Sequence, residues 1–137
     1  MNNLNNICEL ISFKSTAAQN AEGEAIIKIQ NKQIRCFLDN IQTDLFLKVK
    51  PLGKIKCKLT LMVLKINLSK NKKKVVVSLW NSPATNNYKI NGEVVQKSKE
   101  KFIIDCGFMI EVNEKFNAKI STYVQAEGRI DLKLMEE

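Results

Sequence analysis

An all-β, mainly antiparallel domain is what this sequence predicts, and three observations predict it. Apolar and polar residues alternate at period two in most of the apolar segments, rather than recurring every three to four residues. β-Branched residues crowd several of these segments, as in Val75-Val76-Val77. Turn residues interrupt them at short distances. Six to eight strands in an antiparallel barrel or sandwich follow from this pattern. With 137 residues, 45% of them hydrophobic, a single domain over 1–137 has a core to bury.

Residues 3–13 place Leu4, Ile7, Cys8 and Ile11 at helical spacing after an Asn cap, which predicts a short helix. Residues 12–20 read as a surface loop. Residues 24–30, a turn at Asn31-Lys32, and the alternation of Ile34, Cys36 and Leu38 with Arg35 and Phe37 predict a hairpin. Residues 1–44 are thus an N-terminal extension carrying a hairpin, and 45–137 a basic barrel core.

The clearest strand is 54–61, Lys-Ile-Lys-Cys-Lys-Leu-Thr-Leu, with lysine or threonine at even positions and apolar residues at odd ones. Lys48 and Lys50 share that parity, but Pro51 and Gly53 break the register. A basic turn at 69–73 leads to a strand at 75–80. A second loop, 81–89, contains Pro83 and Asn86-Asn87, and Asn91-Gly92 reads as a hairpin turn. Residues 102–112 and 121–134 are the last strong strands, and a turn of helix fits near 113–116. Helix is therefore limited to one or two short pieces, and no internal repeat or low-complexity linker is visible.

Charge divides the chain unevenly. Between Asp44 and Glu93 there is no acidic residue and there are eleven lysines, while both flanking thirds are slightly acidic. The net charge of +8 therefore belongs to the middle third. A surface serving solubility alone mixes signs. A one-sign block attracts polyanions and speeds their encounter, although lysines also guard sheet edges against aggregation.

Cys8, Cys36, Cys57 and Cys106 are far apart, each in an apolar segment, with no CxxC pair and no histidine in the chain. They read as buried free thiols in a reducing cytosol rather than as a zinc site. Histidine-dependent catalysis is excluded, and no glycine-rich phosphate loop appears among the five glycines. A non-enzymatic protein without a cofactor is expected. No stretch approaches the ~20 apolar residues of a membrane span. The N-terminus lacks the basic start and apolar core of a secretion signal. A cytoplasmic protein without membrane contact is expected.

From Val75 onward the order of features becomes more specific. The strand Val75-Val-Val-Ser-Leu-Trp80 ends in Asn81-Ser82-Pro83. A loop with Asn91-Gly92-Glu93, then Phe102-Ile-Ile-Asp-Cys106, then Tyr123-Val-Gln-Ala-Glu-Gly-Arg-Ile130 follow. Over 75–130 this resembles the bacterial single-stranded DNA-binding protein family. The resemblance implies an OB-fold, a five-stranded Greek-key barrel that takes up oligonucleotides. Only seven residues follow Ile130, where the family has a further long strand. The N-terminal extension, for example residues 25–38, is one source for that strand and would give a differently ordered barrel.

Sequence-tolerant single-strand binding needs cations along the phosphates and aromatic faces for the bases. Lys54, Lys56 and Lys58 project from one strand face at intervals of ~7 Å, close to the spacing of an extended nucleotide. Lys70, Lys72, Lys73 and Lys74 occupy the next turn, and Lys89 lies in the following loop. Trp80 and Tyr88 are the stacking candidates, Trp80 having core closure as its alternative role. Phe102 and Phe108 share parity with Ile104 and Ile110 and read as core. Tyr123 is open between core and surface. Arg129 reads as a rim residue partnered by Asp131.

With only two arginines, Arg35 and Arg129, strong base specificity is not expected. The function read from the sequence is non-enzymatic binding of single-stranded nucleic acid, DNA favoured over RNA, with pairing of a second copy open. The alternative is a protein-binding or inhibitory β-domain acting on an acidic protein partner.

Overall fold

A computed structural model describes residues 6–15, 23–38, 53–78 and 87–135. Trp80, Lys48, Lys50 and the 81–86 part of the second loop lie outside the described residues. Nine strands make up the described structure: β1 (Asn6–Ser15), β2 (Gly23–Ile29), β3 (Lys32–Leu38), β4 (Lys54–Leu68), β5 (Val75–Ser78), β6 (Asn87–Lys97), β7 (Phe102–Asp105), β8 (Met109–Val112) and β9 (Tyr123–Leu134). The all-β expectation holds, and no helix occurs among the described residues.

The expected N-terminal helix is instead β1 from Asn6 onward. Asn6, Cys8 and Leu10 are buried and alternate with exposed Ile7 and half-buried Glu9. The segment thus satisfies period two as well as helical spacing. Pairing on both edges, to β2 and to β4, settles it as a strand.

The hairpin of β2 and β3 turns at Gln30 and Asn31, both with positive φ (47° and 68°), one residue before the expected turn. Asn91-Gly92 is no turn: both residues lie in the middle of β6, paired with Gln125 and Val124 of β9. Glycine is needed there for close approach, since a Cβ on Gly92 would overlap the carbonyl oxygen of Asp105. The span 102–112 folds as two strands, β7 and β8. They are joined by a tight turn at Gly107, whose φ of 112° suits a residue without Cβ. Residues 113–116 form no helical turn; there Phe116 leans on Phe102 with ring centroids 6.3 Å apart.

Pairing creates an organisation that the sequence hides. β1, β2 and β3 form a meander and β4 returns beside β1, a Greek key of spatial order β4-β1-β2-β3. β6, β7, β8 and β9 repeat this arrangement as β9-β6-β7-β8. The two Greek keys join through antiparallel pairing of their fourth strands, β4 with β9. Each key borrows the other's fourth strand through a parallel contact, β3 with β9 at Phe37–Asp131 and β8 with β4 at Glu111–Thr60.

Exchanging β4 with β9 converts one set of pairings into the other, with the Thr60–Asp131 pair at the centre. The correspondence reaches individual residues. Asn6 pairs with Cys57 as Tyr88 pairs with Gly128, and β1 and β6 each carry a register shift against the next strand. The strand pairings are therefore related by a pseudo-two-fold, although the two halves share no obvious sequence repeat.

The N-terminal hairpin belongs to the same sheet as the rest, and one apolar cluster runs through both keys. It includes Leu10, Ile27, Leu59, Ile90, Ile110 and Ile130. Burial of each such side chain contributes about 1.5–3 kcal/mol relative to exposure.

All four cysteines are free and buried, as expected. Burial raises the thiol of Cys36 well above its ordinary value and that of Cys106 to about 12. A hydrogen bond with Cys8, together with burial, raises that of Cys57. Cys36, Cys57 and Cys106 stay protonated, as core residues do, whereas the hydrogen bond with Cys57 lowers the pKa of Cys8.

Candidate nucleic-acid interface

β4 builds the site. Lys54, Lys56, Lys58 and Thr60 point outward, while Cys57, Leu59 and Leu61 are buried, as the alternation requires. Unbroken parity would send Lys65 to the inner side. A bulge between Val63 and Lys65 shifts the register by one, so that Lys65 opposes Glu127 and shares the face of Met62, which opposes Arg129. Leu64 is the residue left over at the bulge. Lys65 and Asn67 thus prolong the outward row begun by Lys54.

Register then adds neighbours to that row. Lys133 of β9 lies opposite Lys58, and Lys89 of β6 lies opposite Glu127 on the far side of β9. Ile7 of β1 stands beside Lys56 and Val77 of β5 beside Lys89. These two and Met62 are exposed apolar side chains on the same wall.

The loop between β4 and β5 closes over this wall rather than hanging free. Asn91 points outward and its amide donates to the carbonyls of Asn71 and Lys73, at 2.8 and 2.7 Å. The Asn71 side chain accepts from the Lys73 N–H and the Ser69 hydroxyl accepts from the Asn71 N–H. Lys74 is bound to Asp105 at 2.8 Å and reaches Glu93 at 4.0 Å. That hydrogen bond and the charge of Asp105 raise its pKa. Lys74 therefore anchors the loop, and Lys70, Lys72 and Lys73 are the exposed cations the loop presents.

Carboxylates do fold over from the flanking thirds. Glu111 is buried between Lys58 at 3.1 Å and Lys101 at 3.2 Å. Asp131 forms a two-bonded ion pair with Arg129, at 2.6 and 3.0 Å. Asp131 is the partner expected of Arg129, but Arg129 lies within the sheet, paired with Met62 of β4 and Asn87 of β6, rather than at a rim. Its guanidinium lies 4.1 Å from the centre of the Phe37 ring. Glu9 opposes Lys54 across the β1–β2 and β1–β4 registers, with Lys28 on its other side. Among the described residues, Lys54, Lys56, Lys65, Lys70, Lys72, Lys73, Lys89 and Lys133 form no ion pair. The wall is positive with interspersed carboxylates, rather than wholly unopposed.

Burial alone would raise the pKa of Glu111, but hydrogen bonds and charge from Lys58 and Lys101 outweigh it and hold it below 4.5. A carboxylate whose pKa is lowered on folding stabilises above its unfolded value and loses that contribution as pH falls through the folded value. Acid unfolding of the wild type should therefore include a component below pH 4.5. Glu111→Gln, followed by chemical denaturation across pH, should lack it; an unchanged acid limb would contradict the assignment.

Tyr88 is corrected most clearly. It was expected to be exposed in a loop, but it is buried in β6, and its hydroxyl accepts a hydrogen bond from the Arg35 N–H at 2.8 Å. β3 pairs with β9 only at Phe37, so the phenol satisfies the free edge of β3. The pseudo-two-fold repeats the device, since the Asn6 amide bonds both the N–H and the carbonyl of Met109 on β8. Tyr88→Phe should cost about 1 kcal/mol in denaturant unfolding. Oligonucleotide affinity measured on the same variant should be unchanged.

Phe102 and Phe108 are core, as expected. The half-buried aromatic rings on the wall are Phe37 and Tyr123, the latter facing Glu93 at the start of β9. Lys65, Lys133, Phe37 and Tyr123, with the apolar Ile7, Met62 and Val77, are wall residues that sequence reasoning did not select. Alternation within 123–134 was a signal for Tyr123 and Lys133; for Lys65 there was none, because the bulge reverses the parity.

No group of three or more Cys, Asp and Glu residues is placed to hold a metal ion among the described residues, and no helix long and apolar enough to cross a membrane occurs among them. No protein-family model, curated protein or solved structure matches this chain.

Proposed function

We propose that this domain is a non-enzymatic single-stranded nucleic-acid-binding protein, with the β4–β9–β6 wall as its contact surface. One observation carries the reading: the bulge in β4 keeps its lysines on one face along the whole strand, where Lys133, Lys89 and the 70–73 loop join them. Flexible ammonium groups in a row suit a backbone of variable shape. Tyr123, Met62 and Ile7 offer the partly apolar surface on which bases can rest. The first Greek key completed by β9 supports an OB-like reading, since it is a five-stranded ring that closes by the β1–β4 pairing. Single-stranded DNA is the favoured ligand.

Fluorescence anisotropy of labelled oligo-dT at several salt concentrations tests the proposal. Neutralising roughly five phosphates should make log K fall with log salt at a slope of about −3.5. Absence of binding at micromolar protein and low salt would overturn the reading. A stoichiometric protein partner that survives nuclease treatment would favour the acidic-partner alternative.

A further inference from the structure

We propose that the wall is bipartite: a strand long enough to reach both lysine ends binds as one ligand, and shorter strands occupy the ends separately. This rests on the nucleic-acid reading above and adds a length requirement to it. One end holds Lys54, Lys56 and Lys133, with Lys58 bound to Glu111 among them. The other holds Lys65 and Lys89, with Lys70, Lys72 and Lys73 on the loop that Asn91 ties down.

Between them lies a waist with little net charge. Thr60 faces Asp131 there, and Met62 faces Arg129, whose charge is cancelled by Asp131 and whose guanidinium covers Phe37. A phosphate over the waist gains little, so binding energy is concentrated at the two ends. The pseudo-two-fold centre at Thr60–Asp131 places the ends on either side of this waist.

The distance sets the length. From Lys54 to Asn67 the strand measures roughly 40 Å, and alternate outward residues are ~7 Å apart, close to the spacing of an extended nucleotide. Spanning the wall therefore takes roughly seven nucleotides. Beyond that length the second contact becomes intramolecular, and avidity exceeds the affinity of either end by about 10²–10⁴. Below it, each end neutralises only two or three phosphates and the salt slope is about −2.

Labelled dT4 and dT15, compared on the full chain by anisotropy across salt and by native mass spectrometry, test this. The expected result is one dT15 per chain, bound at least about a hundredfold more tightly than dT4, with a slope near −3.5 against about −2. Lys54→Gln with Lys56→Gln, both exposed and placing no new carboxylate opposite Glu9, should reduce the dT15 slope to the dT4 value. Equal affinity and slope for the two probes, or two dT15 molecules per chain, would overturn the bipartite wall while leaving the nucleic-acid reading in place. If neither probe binds at low salt, the underlying reading itself fails.

Discussion

Replacing Gly128 by valine is expected to unfold the protein at ordinary temperature. Gly128 lies in β9 where three strands run side by side, opposite Val63 of β4 and Tyr88 of β6. A Cβ built on it overlaps the carbonyl oxygen of Met62 and lies 3.2 Å from the Cα of Val63. Both atoms are backbone, so no side chain can swing aside. The strand would have to withdraw from β4 beside the bulge that aligns Lys65, and both Greek keys depend on that pairing. Loss of more than about 4 kcal/mol follows from such forced separation in a core. Circular dichroism and a urea melt would report it, with Gly128→Ala as the milder variant. A valine variant melting within a few degrees of wild type would show that β4 and β9 are not held in this register.

Reversing Lys70, Lys72 and Lys73 to glutamate should reduce affinity for dT15 on the order of a hundredfold at moderate salt, by removing one end of the wall. The melting curve should remain that of wild type, because these side chains are exposed and the loop is held by Asn91, Ser69 and Lys74. Lys74→Glu, one residue further on, should behave oppositely. It places a third carboxylate against Asp105 and Glu93 and should lower stability before it affects binding. Identical behaviour of the two variants would mean that the loop is not anchored as described. Unchanged dT15 binding by the triple variant would remove the loop from the interface.

Much of the wall was legible because a strand's pleat is a local property. Lys54, Lys56 and Lys58 had to share a face, and Phe102 had to share the buried side of its strand with Ile104, whatever lay beside them. Tyr88 misled for the opposite reason. Its polar neighbours suggested exposure, whereas its position is set by the unpaired edge of β3, more than fifty residues away in sequence (Arg35 N–H to Tyr88 Oη, separation 53). The same holds for Asn91-Gly92, a strong turn signal overruled by pairing to β9 on one side and by the close approach of Asp105. The N-terminal segment failed through ambiguity: Ile7, Cys8 and Ile11 fit helical spacing, while Cys8 and Leu10 fit a strand, and pairing to β4 decided between them.

By itself, then, the sequence determined a β protein, the inward and outward faces of its strongest strands, its buried thiols and the concentration of lysine in its middle third. Tertiary structure alone decided that two Greek keys share their fourth strands, that a bulge returns Lys65 to the row of Lys54, and that Glu111 and Asp131 are drawn into that row. The reason is one of range. Pleat and burial follow from neighbours one or two residues apart, whereas register, close approach and ion pairing depend on chain segments that meet only once the sheet has closed.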